Sequence, residues 1–280
     1  MCARRLPPRP PRESLSRRDA LIALGMLGVT GVLGTCGGIS ALALLLRRLE
    51  SASPPPSPPA LASIAPSSPM PTTPVATTPP PMVTREVWGA KPPNLNAENE
   101  KGLYDEELNP EGWRVYDDLT HLKTVVIHHS VVYSTDDTTT AREVQRLHQQ
   151  DRGWADVGYH YMVGKTGVTY EGRALNVRGV HTASYNTGTV GVCLLGNYSA
   201  DTIGNDQWQG LGRILFWLVA ALPLTHLAGH RDFNVQTECP GNNLWFSLDQ
   251  LAQAVGLRRG TDGYDASAHG GACACGCCGV

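Results

Sequence analysis

Three histidines and a cysteine stand where a metal ion could gather them. His128 and His129 close the β-branched run 124–127. His230 follows a short apolar segment, and Cys239 comes nine residues later in the polar stretch Gln236-Thr237-Glu238-Cys239-Pro240-Gly241. Side chains alternate across a strand, so only one of His128 and His129 can point into a site at the strand's edge. A catalytic zinc takes three N, S or O ligands and keeps a fourth position open to water. His128 or His129, together with His230 and Cys239, meets that requirement. Surface histidines at a strand end and a structural thiol would account for the same residues without a metal. Cys193, in the apolar stretch 190–195, reads as a small buried hydrophobe.

The elements that must position these residues alternate in period. Residues 124–127 predict a buried strand, and Thr140 with Glu143 forms a capping-box pattern that predicts a helix from there to about residue 150. Two short strands, 159–163 and 168–171, flank Gly164-Lys165-Thr166-Gly167 as a hairpin. Residues 189–195 predict another apolar strand. Leu211, Ile214, Leu215, Leu218 and Val219 share one face of a helix over 205–222 that Pro223 stops. A strand over 224–228 and a closing helix over 244–255 follow. The pattern predicts one α/β domain, a central mixed β-sheet flanked by helices, over 85–258.

Ordered motifs across that domain carry a resemblance. They are Trp88-Gly89-Ala90-Lys91-Pro92-Pro93, Val125-Val126-Ile127-His128-His129-Ser130, Asp156-Val157-Gly158-Tyr159-His160-Tyr161, Tyr170-Glu171-Gly172-Arg173, Tyr185-Asn186, Gly229-His230-Arg231 and Thr237-Glu238-Cys239-Pro240-Gly241. Over roughly residues 85–252 the chain is similar to the peptidoglycan recognition protein and type 2 N-acetylmuramoyl-L-alanine amidase family. The resemblance implies Zn²⁺ held by His128, His230 and Cys239, and hydrolysis of the amide between N-acetylmuramic acid and L-alanine in peptidoglycan. It implies that Tyr159 donates a hydrogen bond to the developing oxyanion and that Thr237 stands at a second catalytic position. His148, Arg152, Tyr159, His181 and Asn186 match positions that contact the sugar and stem peptide. Gly153 and Trp154 with Arg173 resemble the pattern of members preferring meso-diaminopimelate, whose extra carboxylate Arg173 would hold by a two-point pair. The His230 to Cys239 spacing is one residue longer than the resemblance leads one to expect, so either a bulge over residues 231–236 or an altered ligand geometry is predicted.

The rest of the chain bears on location. Residues 20–46 carry no charge, long enough for a membrane span, behind Arg4, Arg5, Arg9, Arg12, Arg17 and Arg18 and ahead of Arg47 and Arg48. This predicts a basic cytoplasmic segment over 1–19 and a transmembrane signal-anchor over 20–46, with the domain outside the cytoplasm in the cell envelope. Ser16-Arg17-Arg18 and Ala41-Leu42-Ala43 allow the alternative of an exported and released product. Residues 47–84, with 12 Pro and no charge from 51 onward, predict an extended linker. Residues 259–280 read as a disordered Gly/Cys-rich tail. The eight Arg of the first 50 residues face only Glu13, Asp19 and Glu50, so a chain of net charge −2 has a mildly acidic domain. Without a basic stripe, nucleic-acid binding is excluded. The expected partner is peptidoglycan or a muropeptide, and the expected state is a monomer. Two alternatives share these features: a non-catalytic peptidoglycan receptor, and a membrane-tethered structural protein in which zinc has four protein ligands.

Overall fold

The computed structural model describes residues 78–264. The segments 1–19 and 20–46, most of 47–84 and the Cys-rich tail lie outside the described residues. Among the described residues no helix is long and apolar enough to cross a membrane.

Seven strands form one mixed sheet in the order β1-β4-β3-β5-β2-β6-β7. They are β1 (Met82–Val83), β2 (Thr124–His129), β3 (Tyr161–Val163), β4 (Thr169–Glu171), β5 (Thr189–Leu194), β6 (His226–Gly229) and β7 (Arg258–Arg259). Only β3 and β4 pair antiparallel, as the expected hairpin; every other pairing is parallel. The helices are α1 (Arg85–Trp88), α2 (Asp137–Arg146), α3 (Asn205–Ala221), α4 (His230–Phe233), α5 (Asn242–Trp245) and α6 (Leu248–Val255), with a π-helical turn at Leu147–Asp151 continuing α2.

All six residues of β2 are buried, because parallel neighbours β5 and β6 flank it and helices cover both faces. Alternation sorts its side chains. Val125 and Ile127 join Val190, Val192, Leu194 and Leu227 in the larger core, packed on Trp208, Leu211 and Leu215 of α3 and Leu248 and Leu251 of α6. The opposite face carries a smaller core of Met162, Cys193 and Leu195 against Trp88, Ala141 and Val144. That thinner cover on the α2 side leaves room at the strand ends for polar side chains.

Several boundaries move for physical reasons. Helix α2 starts three residues before the expected Thr140, because Asp136 is the N-cap and its side chain accepts the Thr139 N–H at 2.8 Å. Thr140 instead donates its hydroxyl back to the Asp136 carbonyl at 2.6 Å, and Glu143 pairs with Arg146 at 2.7 Å. Tyr159 and His160 lie ahead of β3 rather than in it. Their backbone groups still bond both neighbours, His160 N–H to the Gly191 carbonyl and Arg173 N–H to the Tyr159 carbonyl, without a regular ladder. The closing helix divides into α5 and α6, with Ser247 between them donating its N–H to the Leu244 carbonyl.

The ordered fold also passes both expected edges. Met82 and Val83, inside the expected linker, pair with Thr169 and Tyr170. Beyond residue 258, Arg259 bonds Asp232 and Asp249, and Tyr264 packs on the rings of Tyr185 and Phe233. Two-residue strands have no periodicity to read, which is why the sequence did not announce them.

Candidate metal centre

Register brings the donors together. Ile127 of β2 pairs with Gly229 of β6, so the residues that follow them, His128 of β2 and His230 at the start of α4, lie side by side, ring centroids 4.8 Å apart. His128 pairs with Cys193 and faces the α2 side. His129 faces the other way, its Nδ1 accepting the Tyr198 N–H at 3.1 Å, which resolves the choice the sequence left open in favour of His128. The extra length between His230 and Cys239 is taken up by the single turn of α4 and an Asx turn in which Asn234 Oδ1 accepts the Gln236 N–H at 3.0 Å. Arg231 N–H to the Cys239 carbonyl at 2.9 Å closes this loop.

The ligand atoms of His128, His230 and Cys239 lie within 4.8 Å of one another. His128 Nδ1 and Cys239 Sγ are 3.6 Å apart. Tetrahedral zinc with ordinary bond lengths separates its ligand atoms by roughly 3.3–3.6 Å, so the trio fits that ion with small adjustments. His128 is buried while His230 and Cys239 are part-exposed, so the cluster is reached from one side. No fourth His, Cys, Asp or Glu joins it among the described residues. The exposed Glu238 places its carboxylate 3.5 Å from the Ser199 hydroxyl, and His129 turns away. The two residues that could have closed a four-ligand structural site are thus engaged elsewhere.

Electrostatics suit a cation. Burial holds His128 well below the usual imidazole range, helped by the neighbouring His230 and His181, and burial brings His230 down to about 4. Both rings therefore offer lone pairs at neutral pH. Burial pushes the Cys239 thiol up to about 12, partly opposed by the His129 N–H 3.5 Å from its sulfur and by Arg231. Three neutral donors, one with a proton to yield, form a set that a divalent ion would complete.

Tyr159 stands beside them. Its ring centroid is 5.1 Å from that of His128 and 5.3 Å from that of His148. Burial, followed by the Cys193 and Cys239 thiols, drives its phenol pKa well above 10, so it stays a proton donor. The Cys193 thiol is near enough to this phenol to raise its pKa. Cys193, expected only to fill space, is thus also a polar neighbour of the site. Thr237 uses its hydroxyl oxygen to accept the Cys239 N–H at 3.2 Å. With Arg231, Glu238 and Trp245 it borders a cleft of about 650 Å³ whose lining includes none of the three donors.

The expected substrate contacts divide. His148 does not face solvent from a helix. It lies on the π-helical turn, accepts the Gly158 N–H at 2.9 Å and packs on Trp154 with centroids 4.7 Å apart. Its pKa falls to about 3, from burial and then from Arg173 and Arg152. Arg152 is exposed next to this ring pair. Gly153 has φ of +64°, and a Cβ there would approach Asn99 Nδ2 to 3.1 Å, so backbone geometry explains the glycine.

Three of the expected contact residues are engaged within the protein. Arg173 is 2% exposed, and its guanidinium forms a two-point pair with the equally buried Glu100, at 2.5 and 2.6 Å. Its Nε donates to the Val157 carbonyl at 2.7 Å and Nη1 to the Arg178 carbonyl at 2.9 Å, so the fork expected to read a substrate carboxylate is filled from within. His181 is 6% exposed and sits beside His128, Nδ1 to Nε2 at 3.1 Å. Asn186 spends its side-chain carbonyl on the N–H groups of His181 and Thr182, at 2.8 and 2.7 Å, as a clamp on that loop. Glu100 had no local signature to find: its partner is 73 residues away.

Comparison with known proteins agrees with this architecture. The family model described as N-acetylmuramoyl-L-alanine amidase matches residues 118–242. Peptidoglycan-recognition protein SC2 of Drosophila simulans is 35% identical over 133 residues, 45% of this chain and 72% of that protein. The N-acetylmuramoyl-L-alanine amidase of Sus scrofa is 35% identical over 132 residues, 44% of this chain and 22% of that protein. The crystal structure of Drosophila peptidoglycan recognition protein SD superposes with a TM-score of 0.51 at 28% identity, covering 61% of this chain and 94% of that one. Through these matches and its mixed sheet, the chain belongs to the peptidoglycan recognition protein and type 2 N-acetylmuramoyl-L-alanine amidase family.

Proposed function

We propose that the protein is a zinc-dependent N-acetylmuramoyl-L-alanine amidase acting on peptidoglycan. The observation that carries this is the complete His128, His230 and Cys239 set, within 4.8 Å and with no fourth protein ligand among the described residues. Those three residues would hold the ion. When bound there, zinc supplies Lewis-acid polarisation of a carbonyl and water of lowered pKa. Tyr159, held protonated, donates a hydrogen bond to the oxygen of the scissile carbonyl as negative charge develops on it. His148, its ring tilted against both Trp154 and Tyr159, forms with them a wall against which the sugar and the first stem residues would rest, and Arg152 offers an exposed cation at its rim. With Arg173 filled by Glu100, a preference for meso-diaminopimelate would fall to Arg152.

A receptor that binds the same wall without cutting is the alternative. The two separate by incubating the full-length protein with purified peptidoglycan, with and without chelator, and analysing the new ends by mass spectrometry. Free L-alanine amino termini that vanish with chelator and return with zinc are expected. Binding without new ends would leave the receptor reading.

We further propose that residues 20–46 anchor the protein in a membrane with the domain in the cell envelope, supported by their uncharged length and the flanking arginines. Tagged protein should fractionate at full length with membranes. A shortened soluble product in the medium would establish export and release instead.

A further inference from the structure

We propose that His181 is a positioning residue: it accepts the Nε2–H of His128 at its own Nδ1 and so keeps His128 Nδ1 free of a proton and directed toward Cys239. This rests on the metal reading of the trio, but not on the hydrolytic one.

Two ring nitrogens at 3.1 Å need one proton between them, and the surroundings decide who donates. His181 Nδ1 also lies 2.9 Å from the Thr182 hydroxyl, which can rotate to donate. The other nitrogen, Nε2, is buried with no hydrogen-bond partner. A neutral imidazole carries one proton, and a ligating nitrogen must be bare, so His128 with Nδ1 turned to the metal carries its proton on Nε2 and His181 Nδ1 accepts it. His128 Nδ1 is then bare, 3.6 Å from Cys239 Sγ. The reverse arrangement would place a proton on the one His128 nitrogen that faces Cys239.

The fold makes room for this pair. A Cβ at Gly191 of β5 or at Gly179 would come within 2.5 Å of His181 Cδ2. Both positions must be glycine for the imidazole to reach His128 from behind. Asn186 fixes the His181 backbone at 2.8 Å. A ligating histidine is commonly oriented by a partner on its second nitrogen, and loss of such a partner costs 10–100-fold in metal affinity. Here that partner is another neutral imidazole.

Two measurements on the full-length chain test the assignment. In zinc-loaded wild type labelled with ¹⁵N-histidine, NMR should find both His128 and His181 protonated at Nε2, with His181 Nδ1 bare; a proton on His181 Nδ1 overturns it. In chelator competition, His181→Phe, which fills the space without an acceptor, should bind zinc about 10–100-fold more weakly. His181→Asn, whose side-chain carbonyl can replace Nδ1, should recover most of that loss. Unchanged affinity in His181→Phe, or equal losses in both variants, overturns the proposal. Neither readout uses hydrolysis, so the role of His181 is tested even if the protein fails to cut peptidoglycan.

Discussion

At one end of the site the donors come from neighbouring parallel strands, β2 and β6, and the short loop after them. At the other, residues 148–173 are braced by a segment that arrives from before β2. Asn94 donates its N–H to the Ala155 carbonyl, Asn99 bonds Gly153 and Arg152, and Glu100 fills the Arg173 fork. The family model begins at residue 118, after this brace. The metal donors all lie within the matched residues, whereas the brace on the other end comes from residues outside them.

The largest expected effect tests the metal end. Cys239→Ala should remove bound zinc, taking metal per chain from near one to near zero, while Cys193→Ala keeps it. Equal loss in both would show that the thiols act through stability. The brace comes next. Glu100→Ala should leave Arg173 charged, buried and unpaired, costing about 3–5 kcal/mol in denaturant unfolding, whereas Glu100→Leu with Arg173→Met should recover most of this. If Glu100→Ala is nearly neutral in stability but strengthens muropeptide binding, Arg173 reads a substrate carboxylate after all and the two ends are less distinct.

Acid should act at both ends. Burial lowers His129 and His160 to about 4 in the folded state, against about 6.5 when unfolded. The unfolded chain binds more protons below 6.5, so stability is complete above that pH and falls as pH drops toward 4, by on the order of 3 kcal/mol for each ring. Unfolding of metal-free protein across this window measures it. Tyr159→Phe should retain zinc but lower turnover about 10²–10³-fold, more than it weakens binding, as end-group kinetics would show. Unchanged turnover would make Tyr159 a packing residue. Smallest, Asp136→Ala should cost about 1 kcal/mol by removing the α2 cap, with no change in metal affinity.

Residue chemistry and periodicity made much of this molecule legible. The β-branched run into His128, the hairpin at Gly164 to Gly167, the apolar face of α3 and the donor types at His230 and Cys239 are local facts, and local steric and hydropathy rules read them. The α/β class followed from their alternation. Helix α2 shows the limit of a local rule: two overlapping cap patterns competed, and Asp136 prevailed over Thr140.

What the sequence by itself determined was the donor inventory and the requirement that only one of two adjacent histidines could face a site. Which one it was, and that His230 would stand beside it, depended on the pairing of Ile127 with Gly229 across two strands 102 residues apart. The partners that Arg173, His181 and Asn186 find within the protein depended equally on Glu100, His128 and a loop backbone. A buried guanidinium or imidazole must be satisfied by some group. Which group is near enough is settled only when the chain has packed.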